Sequence, residues 1–297
     1  MKMKDKEYYK NIDIEKIKSL YLDERLSISK VADYFDVCGN VIRRKLVESG
    51  IEIRKRYSNK DYRINQSIFE TINTEEKAYW LGMLFADGSI YNYKYGKSMQ
   101  LELIDEEHVE KFKTFLDFTG DVTNKNNYSF NLRTCDYKIC TDLIQLGCIP
   151  NKTYSISYLP ILPIELQRHF IRGYFDGDGC LFVKGTKERF LAGVSFYGHK
   201  YVLESIINIF QRDLQIHINT FQGKKYKDPI TSFLIGGNKN IHKVLTYLYK
   251  DSTVNLNRKL EKAKLFYEIH LTRPKNTLSK EDIPNTIYQF TFNSTSY

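Results

Sequence analysis

One pattern occurs twice in this chain. Ala78-Tyr79-Trp80-Leu81-Gly82-Met83-Leu84-Phe85-Ala86-Asp87-Gly88 and Phe170-Ile171-Arg172-Gly173-Tyr174-Phe175-Asp176-Gly177-Asp178-Gly179 are both apolar, helix-like runs that end in aspartate and glycine. A helix C-terminus already carries about half a negative charge, so a carboxylate there is repelled unless something compensates. A lone Asp-Gly is ordinary turn punctuation. Repetition argues for more, because both copies also place a small residue five before the aspartate and another directly before it. These are Gly82 and Ala86 in the first copy, Gly173 and Gly177 in the second. Their i, i+4 spacing puts them on one helical face, where they let two backbones approach closely. Helices packed side by side through that face bring Asp87 and Asp178 to the same end. Two carboxylates over two helix C-termini attract a divalent cation, and oxygen ligands with room for water suit Mg²⁺.

On these residues the two segments resemble the paired LAGLIDADG motifs of homing endonucleases, in the single-chain form that carries both copies. The aligned nine-residue stretches are Trp80 to Gly88 and Ile171 to Gly179, and the resemblance runs from Thr74 to the region of Tyr267. Phe85 stands where the family often has an acid, which the second copy keeps as Asp176; that position is not a metal ligand in the family. The resemblance implies an α+β fold: a pseudo-two-fold, duplicated αββαββα core with two saddle-like antiparallel sheets. It implies double-stranded DNA with a long, roughly pseudo-palindromic target as partner. It also implies two or more Mg²⁺ ions shared between Asp87 and Asp178, with Gly88 and Gly179 at the metal site. The reaction implied is hydrolysis of both strands across a minor groove, leaving short 3′ overhangs. A basic residue beyond each half's last helix assists in the family. Lys152, in Gly147-Cys148-Ile149-Pro150-Asn151-Lys152-Thr153, and Lys259, in Asn257-Arg258-Lys259, resemble those residues. The same scaffold without cleavage would serve as a maturase that folds intron RNA, or as a DNA-binding regulator.

Periodicity gives the order of elements independently. Thr74 is an N-cap, with Glu75 and Glu76 in the first turn of the helix ending at Asp87. Strands at 89–93 and 99–103 follow, then a helix over 106–116, a strand over 128–133 and a helix over 137–146. The second half repeats this order. Pro163 opens a helix to Asp178, followed by strands at 180–183 and 190–196, a helix at 201–214, strands at 215–221 and 231–235, and a helix at 239–248. Alternation sets Met99, Leu101, Leu103, Tyr128, Phe130 and Leu132 towards the helices. It leaves Gln100, Glu102, Ser129, Asn131 and Arg133 on the other face, side chains able to read base edges in a major groove.

Upstream, Leu26 to Gly50 reads as helix, tight turn, helix, with Ile28, Val31, Ala32 and Phe35 facing Val41, Ile42 and Leu46; a helix over 12–21 completes a three-helix module. It resembles a resolvase-type helix-turn-helix domain, whose second helix enters the major groove. Residues 40–63 hold eight basic against three acidic side chains. Asn40, Arg43, Arg44 and Lys45 can meet bases or phosphates, and Arg54-Lys55-Arg56 can follow the DNA backbone. The expected organisation is this domain over 1–56, a linker over 57–73, repeats over 74–160 and 161–270, and a tail over 271–297.

The remaining composition narrows the class. A net charge of +9 agrees with a polyanionic partner. The 5 cysteines form no CxxC pair and no zinc spacing, as expected of reduced thiols in a cytoplasmic protein of a bacterium or phage-infected cell. No apolar run approaches the length of a membrane span. Met1 and a Ser296-Tyr297 end argue against an intein, and the internal duplication argues for a monomer.

Overall fold

The computed structural model describes residues 12–24, 26–54, 62–93, 96–125, 127–156, 159–186, 190–218, 220–222, 229–272 and 278–288. Near its N-terminus, helices α1 (Ile14–Lys18), α2 (Ile28–Tyr34) and α3 (Gly39–Glu48) form a module with its own small core of Ile17, Leu20, Tyr21, Val31, Ile42 and Leu46. Asp13 and Ser27 cap α1 and α2 through their side chains. A π-helical turn over Ser19–Asp23 replaces the end of the first helix expected there. Asp36, with a φ of 49°, makes the tight turn between α2 and α3.

The first repeated segment forms helix α4 (Glu75–Ala86), capped as expected by the Thr74 hydroxyl, which accepts from the Lys77 amide at 3.3 Å. All eight residues from Ala78 to Phe85 are buried, which is why the run shows no polar face. Strands β1 (Gly88–Tyr93) and β2 (Gly96–Leu103), helix α5 (Glu106–Phe115), strands β3 (Thr123–Lys125) and β4 (Ser129–Thr134), helix α6 (Tyr137–Gln145) and the single turn α7 (Lys152–Ser155) complete the first half. The second half repeats the order: α8 (Ile164–Asp178), β5 (Gly179–Gly185), β6 (Phe190–His199), α9 (Lys200–Leu214), β7 (Thr220–Gln222), β8 (Ile230–Gly236), α10 (Asn238–Tyr249) and α11 (Asn257–Leu271). Each half is αββαββα with an antiparallel four-stranded sheet, in the order β1-β2-β4-β3 and β5-β6-β8-β7.

Helices α4 and α8 lie side by side and parallel, and their backbones touch. A Cβ added to Gly82 would fall 2.0 Å from the Phe170 carbonyl oxygen, and one added to Gly173 would fall 1.9 Å from that of Tyr79. Only glycine permits this approach, so the small-residue stripe is the seam between the halves. A second lock lies towards the other end. Arg172, 0% exposed, donates to Glu75 Oε1 at 2.7 Å and to the carbonyls of Leu248 and Val254, both at 3.1 Å. A buried charge is tolerable only when so paired and hydrogen-bonded.

In the first sheet Met99, Leu101, Leu103 and Leu132 are buried towards the helices, as the alternation predicts. Tyr128 is not. It sits in the turn before β4, 82% exposed, because the strand begins one residue later. The expected strand over 215–221 is also shorter: Gln215 takes a left-handed backbone that ends α9, and only Thr220–Gln222 pairs with β8. Helix α11 goes unread in the sequence because its apolar positions are diluted by Lys, Glu and Arg.

Two expected boundaries move. Residues 62–73, expected in a linker, dock on the first half: Phe69 is fully buried, Tyr62 Oη lies 2.8 Å from Thr134 Oγ1, and the Asn65 amide donates to the Leu116 carbonyl at 2.9 Å. Within the expected tail, Ile287 is fully buried and Thr286 Oγ1 accepts from the Ser252 amide at 3.1 Å. Among the described residues no helix is long and apolar enough to cross a membrane.

The seam makes a direct prediction. Gly173→Ala is expected to destabilise the chain by about 3 kcal/mol in urea unfolding, because two backbones must part. Gly236→Ala, whose Cβ meets nothing within 4 Å, should stay within about 0.5 kcal/mol of the native chain.

Candidate active site

The parallel packing brings the two motif aspartates together. Asp87 closes α4, its amide donating to the Met83 carbonyl at 2.9 Å, and Asp178 is the last residue of α8. Gly177 makes room for the pair: a Cβ there would lie 2.4 Å from that of Ala86 and 2.8 Å from Asp87 Oδ2. Burial pushes the Asp178 carboxyl up to about 6, with the neighbouring Asp87 adding to the rise and Lys152 and Lys259 opposing it. Asp87 is raised by burial as well, against the pull of Lys152, Arg258 and Lys259. Two crowded carboxylates that resist ionisation form a site short of positive charge.

The two lysines singled out in the sequence occupy equivalent places. Lys152 Nζ donates to the carbonyls of Ala86 at 2.9 Å and Gly88 at 2.5 Å, and Lys259 Nζ donates to the carbonyl of Gly179. Each ammonium thus binds the backbone directly after a motif aspartate, where helix carbonyls concentrate negative charge. Lys259 is 4% exposed, and burial pulls its pKa down to about 8. The carbonyls of Gly88 and Gly179, expected at a metal site, accept these ammonium protons.

Among the described residues no group of three or more His, Cys, Asp and Glu side chains gathers. The carboxylates that the two helix ends bring together are those of Asp87 and Asp178. That pair suits Mg²⁺, which commonly takes one or two carboxylates and fills its octahedron with water and phosphate oxygens.

Sequence reasoning missed several supporting groups. Asp176, fully buried, accepts from Tyr79 Oη at 2.8 Å, Tyr249 Oη at 2.7 Å and the Leu256 amide at 2.9 Å, which ties α4, α8 and the loop before α11 together. Its partner position in the first copy, Phe85, packs edge-on against Phe170 instead. Arg258 Nε donates to Asp105 Oδ2 at 2.9 Å, pinning the start of α11 to the first half. A cleft of ≈ 310 Å³ opens beside Asp178, lined by Lys152, Tyr174, Tyr197 and His199. The signal for Asp176 was its place in the motif; the others are joined only by tertiary packing.

The expected DNA-facing residues divide. Gln100 opposes Arg133 and Glu102 opposes Asn131 across β2 and β4, so with Ser129 they share the sheet face turned from the helices. Glu102 accepts from Gln100 Nε2 at 2.9 Å, Ser129 Oγ at 2.7 Å and Lys125 Nζ at 2.6 Å. Asn131 is 7% exposed, more enclosed than a reading face requires. In the N-terminal module Asn40, Arg43 and Arg44 are exposed on α3, whereas Lys45 reaches back to the Ile12 carbonyl at 3.4 Å. Arg54 turns inward instead of following DNA: its guanidinium lies 4.0 Å from the centre of the Tyr21 ring and donates to the Leu26 carbonyl. Lys55 and Arg56 lie outside the described residues. All five cysteines are free thiols, as expected.

No protein-family model matches the chain, and no curated protein matches it. Among solved structures it is similar to the LAGLIDADG meganuclease I-AabMI bound to uncleaved DNA, with 12% identity, 71% of this chain and 96% of that one covered, and a TM-score of 0.48. It is also similar to the I-LtrWI LAGLIDADG homing endonuclease bound to target DNA, at 12% identity, 76% and 97% coverage and a TM-score of 0.47. A third is meganuclease I-SmaMI bound to uncleaveable DNA, at 14% identity, 72% and 96% coverage and a TM-score of 0.46. At such identities and scores the chemistry has to be read from this chain's own residues.

The crowded carboxylates predict a stability signature. The folded chain holds the Asp178 proton up to about pH 6, while an ordinary aspartate releases it near 3.8, so stability falls as pH rises across that interval. Asp178→Asn cannot ionise. Its melting temperature is expected to match the native chain below about pH 4 and exceed it above about pH 6. Added Mg²⁺ should then raise the melting temperature of the native chain and leave that of the variant nearly unchanged.

Proposed function

We propose that this chain is a site-specific, double-strand DNA endonuclease that hydrolyses phosphodiester bonds, with Asp87 and Asp178 as the carboxylates that hold Mg²⁺. The observation that carries the reading is the juxtaposed carboxylate pair, one from each repeat, with a lysine fixed to the backbone beside each. When bound, Mg²⁺ supplies the positive charge that stabilises the attacking and leaving oxygens of an in-line displacement. The protein's own contribution is positional. Two helix ends hold the carboxylates so that one duplex meets both, one per scissile strand. Lys152 and Lys259 offset charge developing on each phosphate. Gly88 and Gly179 keep those lysines in place through their carbonyls. The single chain carries both motif helices, so a monomer suffices.

Two surfaces support DNA as the substrate. The open face of the first sheet offers Gln100, Glu102, Ser129 and Arg133 as partners for base edges, with Asn131 beneath them. The N-terminal module, read as a helix-turn-helix, adds the exposed Asn40, Arg43 and Arg44 on α3.

A library of random duplexes incubated with the full chain and Mg²⁺ is expected to yield a discrete cleaved sequence. Asp87→Asn and Asp178→Asn should each lower double-strand cleavage by at least about a hundredfold while leaving DNA affinity near native. Full cleavage by either variant would remove that aspartate from the mechanism. A chain that never nicks DNA yet stimulates intron splicing would instead be a maturase. Separately, the double variant Arg43→Ala, Arg44→Ala should reduce the slope of log affinity against log salt by about 2, since each phosphate contact contributes roughly 0.9.

A further inference from the structure

The two sheets are built on one register, and the register exposes a difference in chemistry. In the first sheet Gly88 pairs with Leu101 and Ser89 with Gln100; in the second Gly179 pairs with Phe196 and Cys180 with Ser195. Counting outwards from these pairs, Tyr91 and Ser98 correspond to Phe182 and Gly193. On the inner strands, Arg133, opposite Gln100, corresponds to Leu234, opposite Ser195. Asn131, opposite Glu102, corresponds to Ser232, opposite Tyr197.

The open face of the first sheet is a hydrogen-bonding surface. Arg133 Nη2 donates to Ser98 Oγ at 3.1 Å and Tyr93 Oη at 3.0 Å, and its guanidinium lies 5.7 Å from the centre of the Tyr91 ring. Where the first sheet has Arg133, Ser98 and Tyr91 the second has Leu234, Gly193 and Phe182, while Tyr93 is answered by Lys184 at the outer end of the face. The Phe182 ring lies across Gly193, where an added Cβ would meet Phe182 Cζ at 2.4 Å and Leu234 Cδ1 at 3.0 Å. Leu234 is 46% exposed and Leu191 62%. Large apolar side chains exposed together on one face mark a contact surface. Because this face continues the pseudo-symmetric saddle of the first sheet and adjoins Asp178, its occupant is the same duplex. The apolar feature that a major groove offers is the C5-methyl group of thymine.

We infer that the half-site over the second sheet is recognised through thymine methyl groups packed on Phe182, Leu191 and Leu234, while the half-site over the first sheet is recognised by hydrogen bonds. This rests on the endonuclease reading above. The target is then chemically asymmetric, rich in A·T pairs in one half, in place of a near-palindrome.

The test uses the full chain and the site recovered from a random library amplified enzymatically, which contains thymine as its only methylated base. Thymines are replaced by uracil one at a time, which removes only the methyl. In one half each replacement is expected to weaken binding about fourfold. In the other half replacement should have no effect. Leu234→Ser, checked for a native melting temperature, should abolish the thymine-over-uracil preference, and Arg133→Ala should weaken readout of the other half only. A bound site indifferent to uracil in both halves, or a Leu234→Ser variant that keeps the preference, overturns the inference while the endonuclease reading stands. Recovery of no preferred duplex overturns both.

Discussion

The contact between the backbones of α4 and α8 is the constraint from which the rest follows. Gly82 and Gly173 have no Cβ, so the Tyr79 and Phe170 carbonyls of the opposing helix occupy the space a side chain would fill. That proximity sets the separation of the two sheets and fixes two helix ends side by side. The arrangement is costly where it terminates, since aligned helix C-termini and two carboxylates repel. The chain answers with Lys152 and Lys259, each bound to a carbonyl just past the seam. Towards the other end, the partly exposed Glu75 neutralises the buried Arg172.

Duplication has not produced identical halves. Asp176 in one motif is matched by Phe85 in the other, and the difference is structural, because Asp176 organises Tyr79, Tyr249 and the Leu256 amide in a fully buried network. Burial raises its carboxyl pKa, and three donors compensate. The same divergence reaches the sheets, where Arg133 and Leu234 occupy equivalent positions. A single chain can vary its halves separately in this way, which a symmetric dimer cannot.

The repeated motif, its helix caps and the alternation of β2 were legible because they are local: hydrophobic period, capping hydroxyl and glycine spacing are properties of short segments. Most strand boundaries came within a residue or two for the same reason. Tyr128 and the segment after Gln215 were misread because turn geometry, here a left-handed Gln215, overrode apparent alternation. Residues 62–73 looked like a linker because they form no helix or strand, yet Ile68, Phe69 and Ile72 are buried against partners that lie far along the chain.

The sequence by itself determined that two aspartates would end two packable helices, and which lysines resemble their companions. Tertiary structure decided what those groups do to one another. The rise of Asp178 to about 6, the fall of Lys259 to about 8 and the inward turn of Arg54 all depend on burial and on neighbours distant in sequence. Charge and solvent exclusion act through space, and only the folded chain sets those distances.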